Sequence, residues 1–150
     1  MTPRELRNRT AVFAARAARF VKPLFRDVVT KEPAGQLRRA SSSTASNYRA
    51  ACVARSHADF KSKLGIALEE CDESAFWLEH LRDAGLVEGP ELKALLQEAL
   101  ELSKILGASK RTADRRAEER RQRRSLGTAK GDTRRQRPES SSALPITNNK

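Results

Sequence analysis

Two cysteines, two histidines and a cluster of carboxylates are the side chains of this 150-residue chain best suited to chemistry. A di-metal carboxylate bundle needs Glu-x-x-His, which sets both ligands on one helical face. Here the residue three before His57 is Ala54, and the residue three before His80 is Trp77. Glu69, Glu70, Asp72, Glu73 and Glu79 crowd one segment, but a helical turn of about 100° per residue scatters them around it. They read as a solvated or salt-bridged face. Cys52 and Cys71 lack metal-ligand spacing and fall on or beside apolar stripes, where cysteine behaves as a small hydrophobe. The chain has no Gly-rich phosphate loop, Gly-x-Ser-x-Gly elbow or His-Glu-x-x-His. The expectation is therefore a protein without a catalytic site, metal centre or cofactor. Arg38-Arg39-Ala40-Ser41 and Arg123-Arg124-Ser125 fit a basophilic phosphorylation pattern, but so do chance matches in any Arg-rich chain.

Charge carries more information. The net charge is +11, from 30 basic and 19 acidic residues. Residues 1–63 hold 14 basic and 4 acidic side chains, 64–110 hold 4 and 10, and 111–150 hold 12 and 5. Arg4, Arg7, Arg16, Arg19, Lys22 and Arg26 fall mostly opposite an apolar stripe, and Arg38, Arg39, Arg49, Arg55, Lys61 and Lys63 continue the excess. A one-signed face attracts phosphates by counterion release without reading sequence. The candidate nucleic-acid contacts are Arg16, Arg19, Arg38, Arg39, Arg49, Arg55, Lys61 and Lys63. Aromatics suited to base stacking are few and sit on core stripes, so single-strand base recognition is not indicated. The competing interpretation is a face that only keeps a bundle soluble.

Four segments must position these groups. Leu6, Thr10, Phe13, Ala17, Phe20 and Leu24 recur at spacings of four and three, the stripe of a helix that Thr2-Pro3 opens and Pro23 ends near Lys22. Thr30 to Gly35 reads as a linker. Leu37, Ser41, Thr44, Tyr48 and Ala51 keep the stripe from about Pro33 to Ala54, although Arg39–Ser46 taken alone also suits a loop. Small side chains there would let a neighbouring backbone approach closely. Ser56-His57-Ala58-Asp59 resembles a capping box ahead of the stripe Phe60, Leu64, Ala67, Cys71, Ser74, Leu78 and Leu81, which Gly85 stops. Gly89-Pro90-Glu91 opens a fourth helix with Leu92, Leu95, Leu96, Ala99, Leu102, Ile105 and Leu106 inward. The spacing predicts an all-α antiparallel up-down four-helix bundle over 1–110. A charged helical extension follows at 111–124, and a disordered basic tail at 125–150. Ile66, Phe76 and Trp77 give the third helix a second apolar surface, either a wide core stripe or a subunit interface.

Asn47-Tyr-Arg-Ala-Ala-Cys-Val-Ala-Arg-Ser56, Ala58-Asp-Phe60, Lys63-Leu64, Ile66, Glu69-Glu70, Asp72-Glu73 and Trp77-Leu-Glu79 resemble the 23S rRNA intervening-sequence four-helix-bundle proteins. That family is related to the accessory variability determinant of diversity-generating retroelements. Similarity extends more weakly over Leu6 to about Lys110, and the Arg-rich tail lies outside it. Val53 stands where many relatives carry a basic residue. The resemblance implies an up-down bundle assembled as a homopentamer and without enzyme activity. Its retroelement relatives bind nucleic acid and a reverse transcriptase.

These observations together lead us to expect a non-catalytic, oligomeric binder of RNA or DNA phosphates, with Ile66, Phe76 and Trp77 at the subunit contact. The alternative is a protein-interaction scaffold with an acidic protein partner. No apolar run approaches the length of a membrane span, and the first residues lack a signal peptide's apolar stretch, so a reducing cytoplasm is expected. The 111–150 segment, Arg-rich and without an apolar stripe, is expected to act as a mobile polyanion-binding arm or as an inert extension.

Overall fold

A computed structural model describes the backbone of residues 1–132 and the side chains of residues 1–126. Its elements are α1 (Pro3–Val21), a 3-10 turn (Lys22–Arg26), α2 (Lys31–Cys52), α3 (His57–Asp83) and α4 (Pro90–Asp132). There is no strand among the described residues.

The helix ends follow from local chemistry. Thr2 and Glu5 form a reciprocal capping box, each side chain satisfying the other's backbone N–H at 3.2 and 2.6 Å. Those bonds, the backbone N–H of Thr2 above all, hold the Glu5 carboxyl below its usual range. The Ser56 hydroxyl accepts from Asp59 N at 3.0 Å and starts α3. Gly85 adopts φ 65°, and the N–H groups of Leu86 and Val87 return to Leu81 O, closing α3.

Two boundaries differ from expectation. The Thr30–Gly35 linker is largely the first turn and a half of α2, which runs from Lys31 rather than Pro33 and ends at Cys52 rather than Ala54. Pro33 is the third helical residue, where the missing N–H has no intrahelical acceptor to lose. Thr30 caps without its side chain, because its hydroxyl donates to Leu24 O at 2.6 Å instead. The second difference lies after Arg124. Residues 125–132, expected as disordered, continue α4. Just before that stretch the helix carries a side-chain bond one turn apart, Gln122 donating to Glu118 at 3.2 Å. The remainder of the expected tail, 133–150, lies outside the described residues.

The chain divides into compact units Met1–Arg116 and Ala117–Lys150. In the first, each stripe faces a common core. Leu6, Phe13, Ala17 and Val21 of α1 meet Leu37 and Tyr48 of α2, Leu64, Cys71, Leu78 and Leu81 of α3, and Leu92 to Leu106 of α4. Cross-helix contacts fix the order. Arg9 meets Glu98 and Arg16 meets Glu91, so α1 runs antiparallel to α4. His57 meets Ala113, and Cys71 meets Ala99, so α3 does the same. The result is an up-down-up-down bundle. Its packing passes residue 110: Ala113 is buried, and Asp114 pairs with Lys61 of α3 at 2.6 Å.

The serine run is helical and its inward members are buried. Ser41 and Thr44 are fully buried and return their hydroxyls to Arg38 O and Ala40 O at 3.2 and 2.9 Å. Ser42, one residue on, is exposed. Ser41→Leu should therefore destabilise the bundle by about 1–3 kcal/mol through overpacking, whereas Ser42→Leu should leave the urea midpoint nearly unchanged.

Candidate nucleic-acid interface

The basic residues of α1 and α2 divide by the neighbour they face. Toward α4, arginines are neutralised. Arg9 places Nε and Nη2 2.6 and 2.8 Å from the two carboxylate oxygens of Glu98, and Nη2 also donates to Glu101. The hydrogen bonds that Arg9 donates, to Glu98 first and to Glu101 second, raise its pKa above its ordinary value. Arg16 reaches Glu91 with paired bonds of 3.2 Å. Such forked pairs orient two helices more than they stabilise them, because the groups remain partly in water.

Toward α2, the arginines meet no acid. Arg7 and Asn8 of α1 and Ser42, Ser46 and Arg49 of α2 line a groove of about 510 Å³, completed by the small side chains Ala11, Ala14 and Ala45. Among the described residues, neither Arg7 nor Arg49 forms an ion pair. The groove is open and presents two guanidinium groups above apolar and hydroxyl surface. That arrangement can hold a phosphodiester through charge-assisted hydrogen bonds.

The eight candidate contacts fare differently. Arg19, Arg38, Arg39, Arg49 and Arg55 are exposed. Arg38 lies 5.2 Å from the Phe25 ring centroid, a cation–π contact that leaves its charge accessible. Arg39 lines a different groove, between α2 and α3, beside Glu70 and Glu73. Arg16 and Lys61 do not stand free, since Glu91 and Asp114 take them. The physical reason is that a helical wheel separates inside from outside but not which flank meets an acidic neighbour. Lys63 is half-buried. The same wheel placed Arg7 outside, but nothing in the sequence singled it out from Arg4 or Lys22.

Ile66, Phe76 and Trp77 also separate. Ile66 and Trp77 are half-buried, and Trp77 packs against the core while donating Nε1–H to Glu73 at 3.1 Å. Phe76 is 55% exposed and forms an edge contact with Trp77 and a stack with His80. Of these three, only Phe76 offers substantial apolar surface outward.

Elsewhere the chemistry is quiet. Burial pushes the Cys71 thiol up to about 11, leaving it protonated and poorly nucleophilic. Tyr48 is raised to about 12, by burial first and by Cys52 second. Among the described residues no group of three or more His, Cys, Asp or Glu is placed to hold a metal. No described helix is long and apolar enough to cross a membrane.

Residues 8–108 match the family described as 23S rRNA-intervening sequence protein. The chain belongs to that family. A solved structure from Bacteroides thetaiotaomicron, a protein of unknown function from the S23 ribosomal protein family, superposes with a TM-score of 0.68 at 28% identity. The match covers 74% of this chain and 99% of that one. No curated protein sequence matches. The 23S rRNA-intervening sequence match thus covers the bundle, including the Arg7–Arg49 groove except Arg7 itself, and stops before the Arg-rich stretch of α4.

The Arg9 fork gives a pH prediction. Hydrogen bonds from Gln97 first and Arg9 second hold the Glu101 carboxyl below 4.5. A carboxylate depressed in the folded state contributes stability above its unfolded pKa and loses it as pH falls through the folded one. As pH falls below about 4.5 the urea midpoint should fall, and Arg9→Met should make that fall shallower.

Proposed function

We propose that this protein is a non-catalytic binder of the nucleic-acid phosphate backbone, acting through the α1–α2 face as a homo-oligomer. The observation that carries this reading is the Arg7–Arg49 groove, whose two guanidinium groups form no ion pair among the described residues, while Arg9 and Arg16 on the opposite flank each do. Exposed Arg38 lies about three turns before Arg49 on the same side of α2, whereas Arg39 lies beside Glu70 and Glu73 in the α2–α3 groove. A site of this kind gains affinity by releasing counterions and takes RNA or DNA without sequence preference. Membership of a family named for 23S rRNA intervening sequences supports an RNA context for this binding.

Oligomerisation belongs to the same proposal. Phe76 stands outward on α3, flanked by acids that have no role in the core, and an exposed aromatic is the usual anchor of a protein contact. A closed ring, the pentamer implied by the family resemblance, would repeat the arginine groove around one axis. Repetition raises avidity for a polymer of phosphates without any new kind of contact.

Binding to unrelated RNA and DNA across a salt series tests the face. Affinity should fall steeply with salt, and Arg7→Gln with Arg49→Gln should lower the slope by about 1–2. Arg16→Gln and Lys61→Gln, whose parents are paired, should leave it nearly unchanged. Absence of binding at low salt favours the protein-interaction scaffold with an acidic partner. Phe76→Glu should give folded monomers by light scattering with weaker polyanion binding. A folded, fully oligomeric Phe76→Glu protein would remove Phe76 from the subunit contact.

A further inference from the structure

The Arg-rich stretch of α4 lies outside the family match and outside the first compact unit, so the bundle does not explain it. It is helical through Asp132, and all side chains from Glu118 to Leu126 are exposed. Helical geometry then sorts its charges. At about 100° per residue, Arg120, Arg121, Arg123 and Arg124 fall within an arc of about 160°. Glu118 and Glu119 fall in the remaining arc, and Glu118 accepts from Gln122 at 3.2 Å. The segment is two-sided by charge, with one basic side and one acidic side.

The composition restricts what such a helix can meet. Residues 111–150 contain no Phe, Tyr or Trp, so there is no platform on which unpaired bases could stack. Leu126 is the one large apolar side chain of 117–126, too little for an apolar groove in a protein or for a membrane surface. Charge complementarity points to an anionic partner, and a dense array of phosphates bordering a helix-sized channel matches closely spaced arginines. The major groove of B-form DNA is about 12 Å wide and admits an α-helix, whereas the A-form RNA groove is deep and narrow.

We propose that residues 117–126 form a DNA-docking helix, with the arginine side lying along the major groove of a B-form duplex against its phosphates. The acidic side faces solvent, which fixes the helix's rotation about its own axis. This site is separate from the α1–α2 face and stands or falls independently of it.

The test keeps net charge constant and changes only its placement. In the full-length chain, Glu118→Arg combined with Arg120→Glu spreads the basic groups around the helix. We compare binding to a 20-base-pair DNA duplex, the matching RNA duplex and one DNA strand. The swap should weaken duplex-DNA binding about tenfold and lower its salt slope by about 1–2, with less than twofold change on the other two ligands. Circular dichroism should be unchanged. Arg120→Gln with Arg123→Gln, which adds no acid, should act in the same direction even if the swap perturbs the helix. Unaltered duplex-DNA affinity in both variants, or an equal loss on all three ligands, would overturn the proposal. The Arg7/Arg49 variant distinguishes the two sites, since its loss should be shared by RNA and DNA alike.

Discussion

The packing of α2 by small side chains is the constraint from which the rest of the bundle follows. Its buried residues are Pro33, Ala34, Leu37, Ala40, Ser41, Thr44, Tyr48 and Ala51, so only Leu37 and Tyr48 fill space. A helix so thin can bury its inner face only if its neighbours come close. The hydroxyls that this brings indoors are satisfied within α2 itself, by Arg38 O and Ala40 O, so burying them leaves no unpaired group. The same economy of volume continues on the outer flank. Where α2 meets α1, alanines and serines line a groove, leaving the longer Arg7 and Arg49 side chains as its only large members.

Composition decides which arginines remain available. α2 contains a single acid, Glu32, in its first turn, and α1 contains a single acid, Glu5, which is held by the Thr2 cap. The α1–α2 flank therefore holds no carboxylate for Arg7 or Arg49. The α1–α4 flank differs because α4 supplies Glu91, Glu98 and Glu101 at one-turn and two-turn intervals, matching Arg9 and Arg16 across the antiparallel pair. Orientation of α1 against α4 and openness of the α1–α2 groove are thus two consequences of one uneven distribution of acids.

Much of this fold is legible in the sequence because its signals are periodic. The stripes through Phe13, Leu37, Leu64 and Leu102 are buried as their spacing requires, and Thr2, Ser56 and Gly85 mark ends that local hydrogen bonds enforce. Pro33 misleads because proline reads as a break, although the first turn of a helix has no use for its missing N–H. Arg16 and Lys61 mislead for another reason. Periodicity gives each residue an angle about its own helix, while pairing depends on which residue of a distant helix lies alongside. The same limit hides Arg7, which becomes distinctive only beside Arg49, 42 positions away in the chain. Trp77 shows the converse, an apolar residue off the main stripe that still packs against the core because α3 touches neighbours on both flanks.

The acids of α3 give the bundle a direction. In an up-down ring of four helices α3 lies diagonally across from α1, and it carries Glu69, Glu70, Asp72, Glu73 and Glu79. A polyanion approaching that side would meet like charge, and one approaching the α1–α2 side would meet Arg7 and Arg49, which form no ion pair among the described residues. The exposed ring of Phe76 sits among the repelling acids rather than among the arginines. An apolar contact built there leaves the basic groove uncovered, because the two features occupy different helices of the bundle. The features that would serve assembly and those that would serve phosphate binding are therefore separable, and neither has to be given up for the other.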